Sequence, residues 1–283
     1  MAKEFFAPNA QTLNVASWLL EDGSSGAGFP AGGGAAKLVF AQGSQLVNQN
    51  TDQSGNTAGV ESIEVWQGWN GDLGDSANHF KFDCDGTSES AVNRTSRFDY
   101  CAGGGSLYYN SNNGCHFFMS GGGGIAYLTG GTFKHLHCDS GRVEVGSSTS
   151  CTASGTWDLM GGSVLLDQHA SNTYNVINVE LGDHDIRRGG TTLNISGGTT
   201  KLDIKGGTAT NVTLTNGQLQ LVSHNSTGGT LVATGGILDF TLLTRPVTFT
   251  SAILGRCTFV GYKKSLVTFT TPVIRGQGPI GYN

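Results

Sequence analysis

Charge is scarce in this chain. Only 13% of its 283 residues are Asp, Glu, Lys or Arg, against roughly 25% in an average soluble domain. The 16 basic residues are scattered, and their densest groupings, Arg187-Arg188 and Lys263-Lys264, are too small to track a phosphate backbone. Nucleic acid is therefore not an expected partner. No apolar run approaches the ~18 residues of a membrane-spanning helix, so no membrane partner is expected. The opening Met1-Ala2-Lys3-Glu4-Phe5-Phe6 lacks the apolar core of a secretory signal, which predicts a soluble protein made in a cytoplasm. Proline is also rare, at 5 residues.

The six cysteines, Cys84, Cys101, Cys115, Cys138, Cys151 and Cys257, form no CxxC pair. They read as reduced, mostly buried small apolar residues. Signatures of serine hydrolases, zinc proteases, phosphate loops and dinucleotide folds are missing. No cofactor is expected, no catalytic residue is assigned and no metal site is assigned.

What the chain has in abundance is glycine: 45 residues, about twice the usual share. Strict Gly-X-Y spacing is absent, which excludes collagen. The glycines separate short runs rich in Val, Ile, Leu, Thr and Phe, the composition of many short strands joined by tight turns. Double glycines at 161–162, 189–190, 197–198, 206–207, 228–229 and 235–236 frame Thr191-Thr192-Leu193-Asn194-Ile195, Lys201-Leu202-Asp203-Ile204, Asn211-Val212-Thr213-Leu214 and Gln218-Leu219-Gln220-Leu221. Apolar and polar residues alternate in each, so one face is buried and the other wet. This predicts an all-β fold, a single-stranded β-helix (β-solenoid) of about seven coils of ~25 residues. A β-sandwich is the alternative.

Three zones follow. Residues 1–60 read as an N-terminal arm and cap, with Val15-Ala16-Ser17-Trp18-Leu19-Leu20 as the one run suited to a short helix. Residues 61–245 read as the solenoid body. Residues 246–283, where glycine pairs vanish, read as a C-terminal β-segment packed on the last coil or on a neighbouring subunit.

Chemistry could reside in a few places. Asp183 and Asp185 point the same way if extended, about 7 Å apart, a separation suited to paired carboxylates; the stretch reads equally well as a polar corner. Asp83 and Asp85 flank Cys84 in a probable turn, with too few oxygen ligands nearby for calcium. His135 and His137 share one strand face, with Cys138 adjacent; exposed or core-lining histidines are the default, with zinc or a threefold axis as the alternatives. Trp18, Phe29, Trp66, Trp69, Tyr108 and Tyr109 are the candidate binding and interface residues, because aromatics anchor interfaces and stack on sugars. Ile63 and Val65 should face one way, Glu64 and Trp66 the other.

The combination of Trp18, Phe29-Pro30, Leu38-Val39-Phe40, Ser62-Ile63-Glu64-Val65 and Gly68-Trp69-Asn70-Gly71-Asp72-Leu73-Gly74, followed by Gly-Gly-spaced strands, resembles β-helical virion proteins of tailed bacteriophages. These include trimeric capsid decoration (cement) proteins and tail spikes or fibres. The resemblance implies a virion location, a homotrimer and the major capsid protein as partner. It transfers no catalytic residue. A tail fibre or spike that binds or cleaves a host-surface glycan is the alternative it leaves open, and a non-viral surface adhesin is a third reading.

Overall fold

The computed structural model describes residues 3–6, 19–20, 36–42, 62–77, 79–80, 97–146, 151–153, 155–166, 174–187, 192–203, 211–222 and 226–275. The expectations for Trp18, Phe29, Asp83, Cys84 and Asp85 lie outside them. Among the described residues there is no helix. The run that suited one ends in a strand, Leu19–Leu20, antiparallel to Lys3–Phe6.

The chain is a β-solenoid. It divides into two compact units, Met1–Thr152 and Ala153–Asn283. In the first, Ala36–Phe40, Ser62–Val65, Arg97–Tyr100 and the ends of Ser106–Met119 and Ile125–Cys138 pair in parallel register, one after the next. Parallel pairing thus already includes Ala36–Phe40, within the region expected to be an arm and cap. In the second unit two parallel stacks alternate. One runs through Thr156–Leu159, Val176–Val179, Thr192–Ile195 and Asn211–Leu214. The other runs through Ser163–Leu166, Asp183–Ile186, Thr199–Leu202 and Gln218–Leu221. Val247–Leu254 continues the pattern, in parallel register with Ser226–Ala233. Side chains bonded from rung to rung are 16 to 21 residues apart in this unit, a shorter repeat than the one expected.

Parallel neighbours exclude the sandwich alternative. A meander of hairpins would pair consecutive strands antiparallel, whereas here each Gly-containing corner carries the chain from one stack to the other. The corner glycines make this possible. Gly236 has φ +76°, and a Cβ there would lie 2.6 Å from the Gly217 carbonyl oxygen on the rung beneath. Both the left-handed backbone and the close stacking of successive corners require glycine.

The cores of the two units differ. The first is aromatic: Phe40, Trp69, Phe80, Phe98, Tyr109, Phe117 and Phe133 are fully buried. Phe98 lies 5.6 Å from Phe117 and 4.8 Å from Tyr109, and Phe40 meets Trp69 edge-on at 5.3 Å. Such pairs add about 0.5–1.5 kcal/mol to the burial of their area. The second unit's core is mainly aliphatic, with Leu159, Ile177, Val179, Leu193, Ile195, Val212 and Leu214 among its inward columns. Four cysteines, Cys115, Cys138, Cys151 and Cys257, are buried and Cys101 is half-buried, in keeping with the burial expected of most of them.

Candidate functional site: an outward histidine and aromatic face

Alternation sets what each rung shows to solvent. In Arg97–Tyr100, Phe98 and Tyr100 go inward, leaving Arg97 and Asp99 outside. The partner segment of Ser106–Met119 buries Phe117 and Met119 and presents His116 and Phe118. The next rung buries Leu136 and Cys138 and presents His135 and His137. Parallel register then aligns two outward columns: Arg97, His116 and His135 in one, Asp99, Phe118 and His137 in the other.

These columns interlock. The Arg97 guanidinium sits 4.1 Å over the Phe118 ring while its Nε–H donates to Asp99 at 2.7 Å. Phe118 lies 5.6 Å from both the His135 and His137 rings, which stand 6.1 Å apart and nearly parallel. His116 is 6.1 Å from His135. His137 Nε2 bonds the Asp139 carboxylate at 2.8 Å. The face is thus a half-exposed array of imidazoles and an aromatic ring, whose cation is matched by a carboxylate.

Cys138 does not join it. Its side chain is buried on the opposite face, and burial, then the nearby Asp139 charge, pushes the thiol up to about 12. It therefore stays protonated, with Sγ 3.6 Å from the Ser140 carbonyl oxygen.

Ile63 and Val65 face inward, and Glu64 and Trp66 outward, as the alternation predicted. Trp66 is 44% exposed and its Nε1–H donates to Glu64 at 3.1 Å. Tyr108 is also outward, stacked on Tyr127 of the next rung at 4.5 Å with 17° between the planes. Its phenol is raised above the ordinary value by burial, then by Tyr127, Asp72, Glu144 and Asp75. Trp69 and Tyr109 require correction as interface candidates. Both are wholly buried, Trp69 against Phe40 and Tyr109 against Phe98 and Phe133. Trp69 follows a turn that returns it to the core, and Tyr109 takes the inward place of its alternation.

In the second unit, Asp183 and Asp185 both face outward. Asp185 accepts from Arg187 Nε at 3.1 Å and from its terminal nitrogen at 3.0 Å, a half-exposed ion pair on a polar rung. Farther along that stack, Asp239 accepts from Gln218, Gln220, and the backbone and hydroxyl of Thr241. On the other stack an amide ladder forms: Asn178 donates to Asp158 at 2.7 Å, and Asn194 to Asn178 at 2.9 Å.

Sequence reading found His135 and His137 but missed Arg97, His116 and Phe118. The signal was present. Arg97, His116 and His135 are evenly spaced, and each opens a segment with the same alternation.

The fold and these faces define a class, β-solenoids with side-chain ladders on their outer sheets. Comparison with protein-family models, curated proteins and solved structures finds no match.

Proposed function

We propose that this chain is a structural protein of a tailed-phage particle, a homotrimer that decorates the capsid and stabilises its shell. The observation that carries the reading is the placement of exposed apolar side chains. Of the six large ones among the described residues, Leu181, Ile237, Leu242, Val273 and Ile274 belong to the second unit. Val273 and Ile274 sit on Pro272–Ile274, paired to Val247–Leu254 and 49% and 61% exposed. Apolar side chains left on a regular solenoid wall suit a protein that buries them against its own copies or a particle surface. Three linked copies, each binding weakly, would hold a shell by avidity. Light scattering on the purified chain should give the mass of a trimer, and Val273→Asp with Ile274→Asp should shift it to monomer. Added to capsids lacking it, the trimer should raise their heat stability. A monomer that leaves capsids unchanged would refute the reading.

The second reading, a tail protein binding a host-surface glycan, is favoured by the Tyr108–Tyr127 stack beside Asp72, Asp75 and Glu144. Aromatic faces pack on sugar rings while carboxylates accept their hydroxyls. Binding to bacterial surface polysaccharide that is lost in Tyr108→Ala, without effect on capsids, would decide for it.

A further inference from the structure

We propose that His135 and His137 chelate a divalent late first-row transition metal, copper(II) most tightly, on the outer face of the strand Ile125–Cys138. In a strand, side chains two apart project to the same side. Leu136 between them is fully buried and holds that assignment in place. One ring nitrogen of each histidine lies within 4.8 Å of one on the other. Two imidazoles sharing a metal at about 2.0–2.1 Å each have nitrogens roughly 3–4 Å apart. Rotation of two half-exposed side chains closes the difference without moving the backbone.

The surroundings suit a soft-to-borderline dication. His137 hydrogen-bonds the Asp139 carboxylate through Nε2, so the proton sits there and Nδ1 carries the lone pair. A carboxylate behind a ligating imidazole fixes its tautomer and ring orientation. Phe118 flanks both rings, and the nearby Arg97 charge is paired with Asp99, which limits repulsion of an incoming cation. Two imidazoles leave further coordination positions open to oxygen donors. Imidazole donors select copper, nickel and zinc over calcium and magnesium, and copper(II) heads the affinity order.

The test is titration of the full chain, without an affinity tag, with copper(II) alone, followed by electron paramagnetic resonance. One equivalent should bind with nitrogen splitting from two imidazoles. His135→Ala or His137→Ala should weaken that equivalent at least about tenfold, and Asp139→Asn by roughly 10–100-fold. An unchanged urea midpoint will show that these outward variants fold. Copper uptake unaltered in the double histidine variant would overturn the proposal.

Discussion

His184 makes acid sensitivity a built-in property of the second unit. It occupies an inward position of Asp183–Ile186 and is 2% exposed. Its register partner on the next rung, Thr200, is fully buried too. Its Nε2–H donates to the Leu181 carbonyl at 2.7 Å, a reach made possible by Gly182, whose φ is +93° and where a Cβ would crowd that nitrogen at 2.9 Å. Neither His184 Nδ1 nor Thr200 Oγ1 has a hydrogen-bond partner among the described residues. Burial pushes the imidazole below its ordinary 6.5, against smaller opposing effects of the Leu181 hydrogen bond and the Asp183 charge. The unfolded chain therefore takes up a proton near pH 6.5 that the folded chain resists. Stability from this group is complete above that pH. Below it, up to about 1.4 kcal/mol is lost per pH unit until the folded imidazole itself titrates. At a urea m-value of about 1–3 kcal/mol per molar, each unit should move the unfolding midpoint by up to roughly 0.5–1.4 M. The assay is urea unfolding between pH 7.5 and 5 for the wild type and for His184→Leu, which places an apolar side chain beside Val164 on the rung before it. Leucine also removes the bond to Leu181, so the slopes against pH decide the matter and the absolute midpoints do not. Equal slopes in the two proteins would refute the reasoning.

Asp239 titrates in a separate window. Burial alone would raise its pKa, but hydrogen bonds from Thr241, Gln220 and Gln218 outweigh this and hold it below the ordinary 3.8. Asp239→Asn turns an acceptor toward two glutamine donors into a third donor. It should cost about 1–3 kcal/mol at pH 7 by urea unfolding, and the gap should narrow only as pH falls below the ordinary carboxyl range. Gly236→Ala combines a left-handed backbone with a Cβ 2.6 Å from a carbonyl oxygen. It should cost about 2–4 kcal/mol, whereas Gly122→Ala, with nothing within 4 Å of its Cβ, should be near neutral in the same assay. Phe98→Ala should lose about 3–5 kcal/mol and Ile177→Val only about 0.5–1.5 kcal/mol. A small loss for Phe98→Ala would mean that its contacts with Tyr109 and Phe117 do not hold the aromatic core together.

The solenoid was legible because its determinants are local. Thr192-Leu193-Asn194-Ile195 and Gln218-Leu219-Gln220-Leu221 announce a buried and a wet face through alternation alone, and corner glycines must be written wherever the backbone turns left-handed. Rung-to-rung register is not local. Whether Arg97 stands beside His116, or Asn178 beside Asp158, depends on how many residues each connection uses, and alternation is blind to that number. The same blindness explains the aromatic misassignments. Tyr108 and Tyr109 are adjacent in sequence, and one phase of the alternation puts the first outside and the second in the core, so a pair read as one surface feature divides between two environments. His184 shows the opposite limit. The alternation of Asp183-His184-Asp185-Ile186 puts its histidine inside, yet residue polarity suggests a wholly solvated corner. Where pattern and polarity conflict within a parallel stack, the register of the neighbouring rungs wins. Val164 below and Thr200 above already fix the strand's phase, and a one-residue slip would turn Ile186 outward and bury both carboxylates.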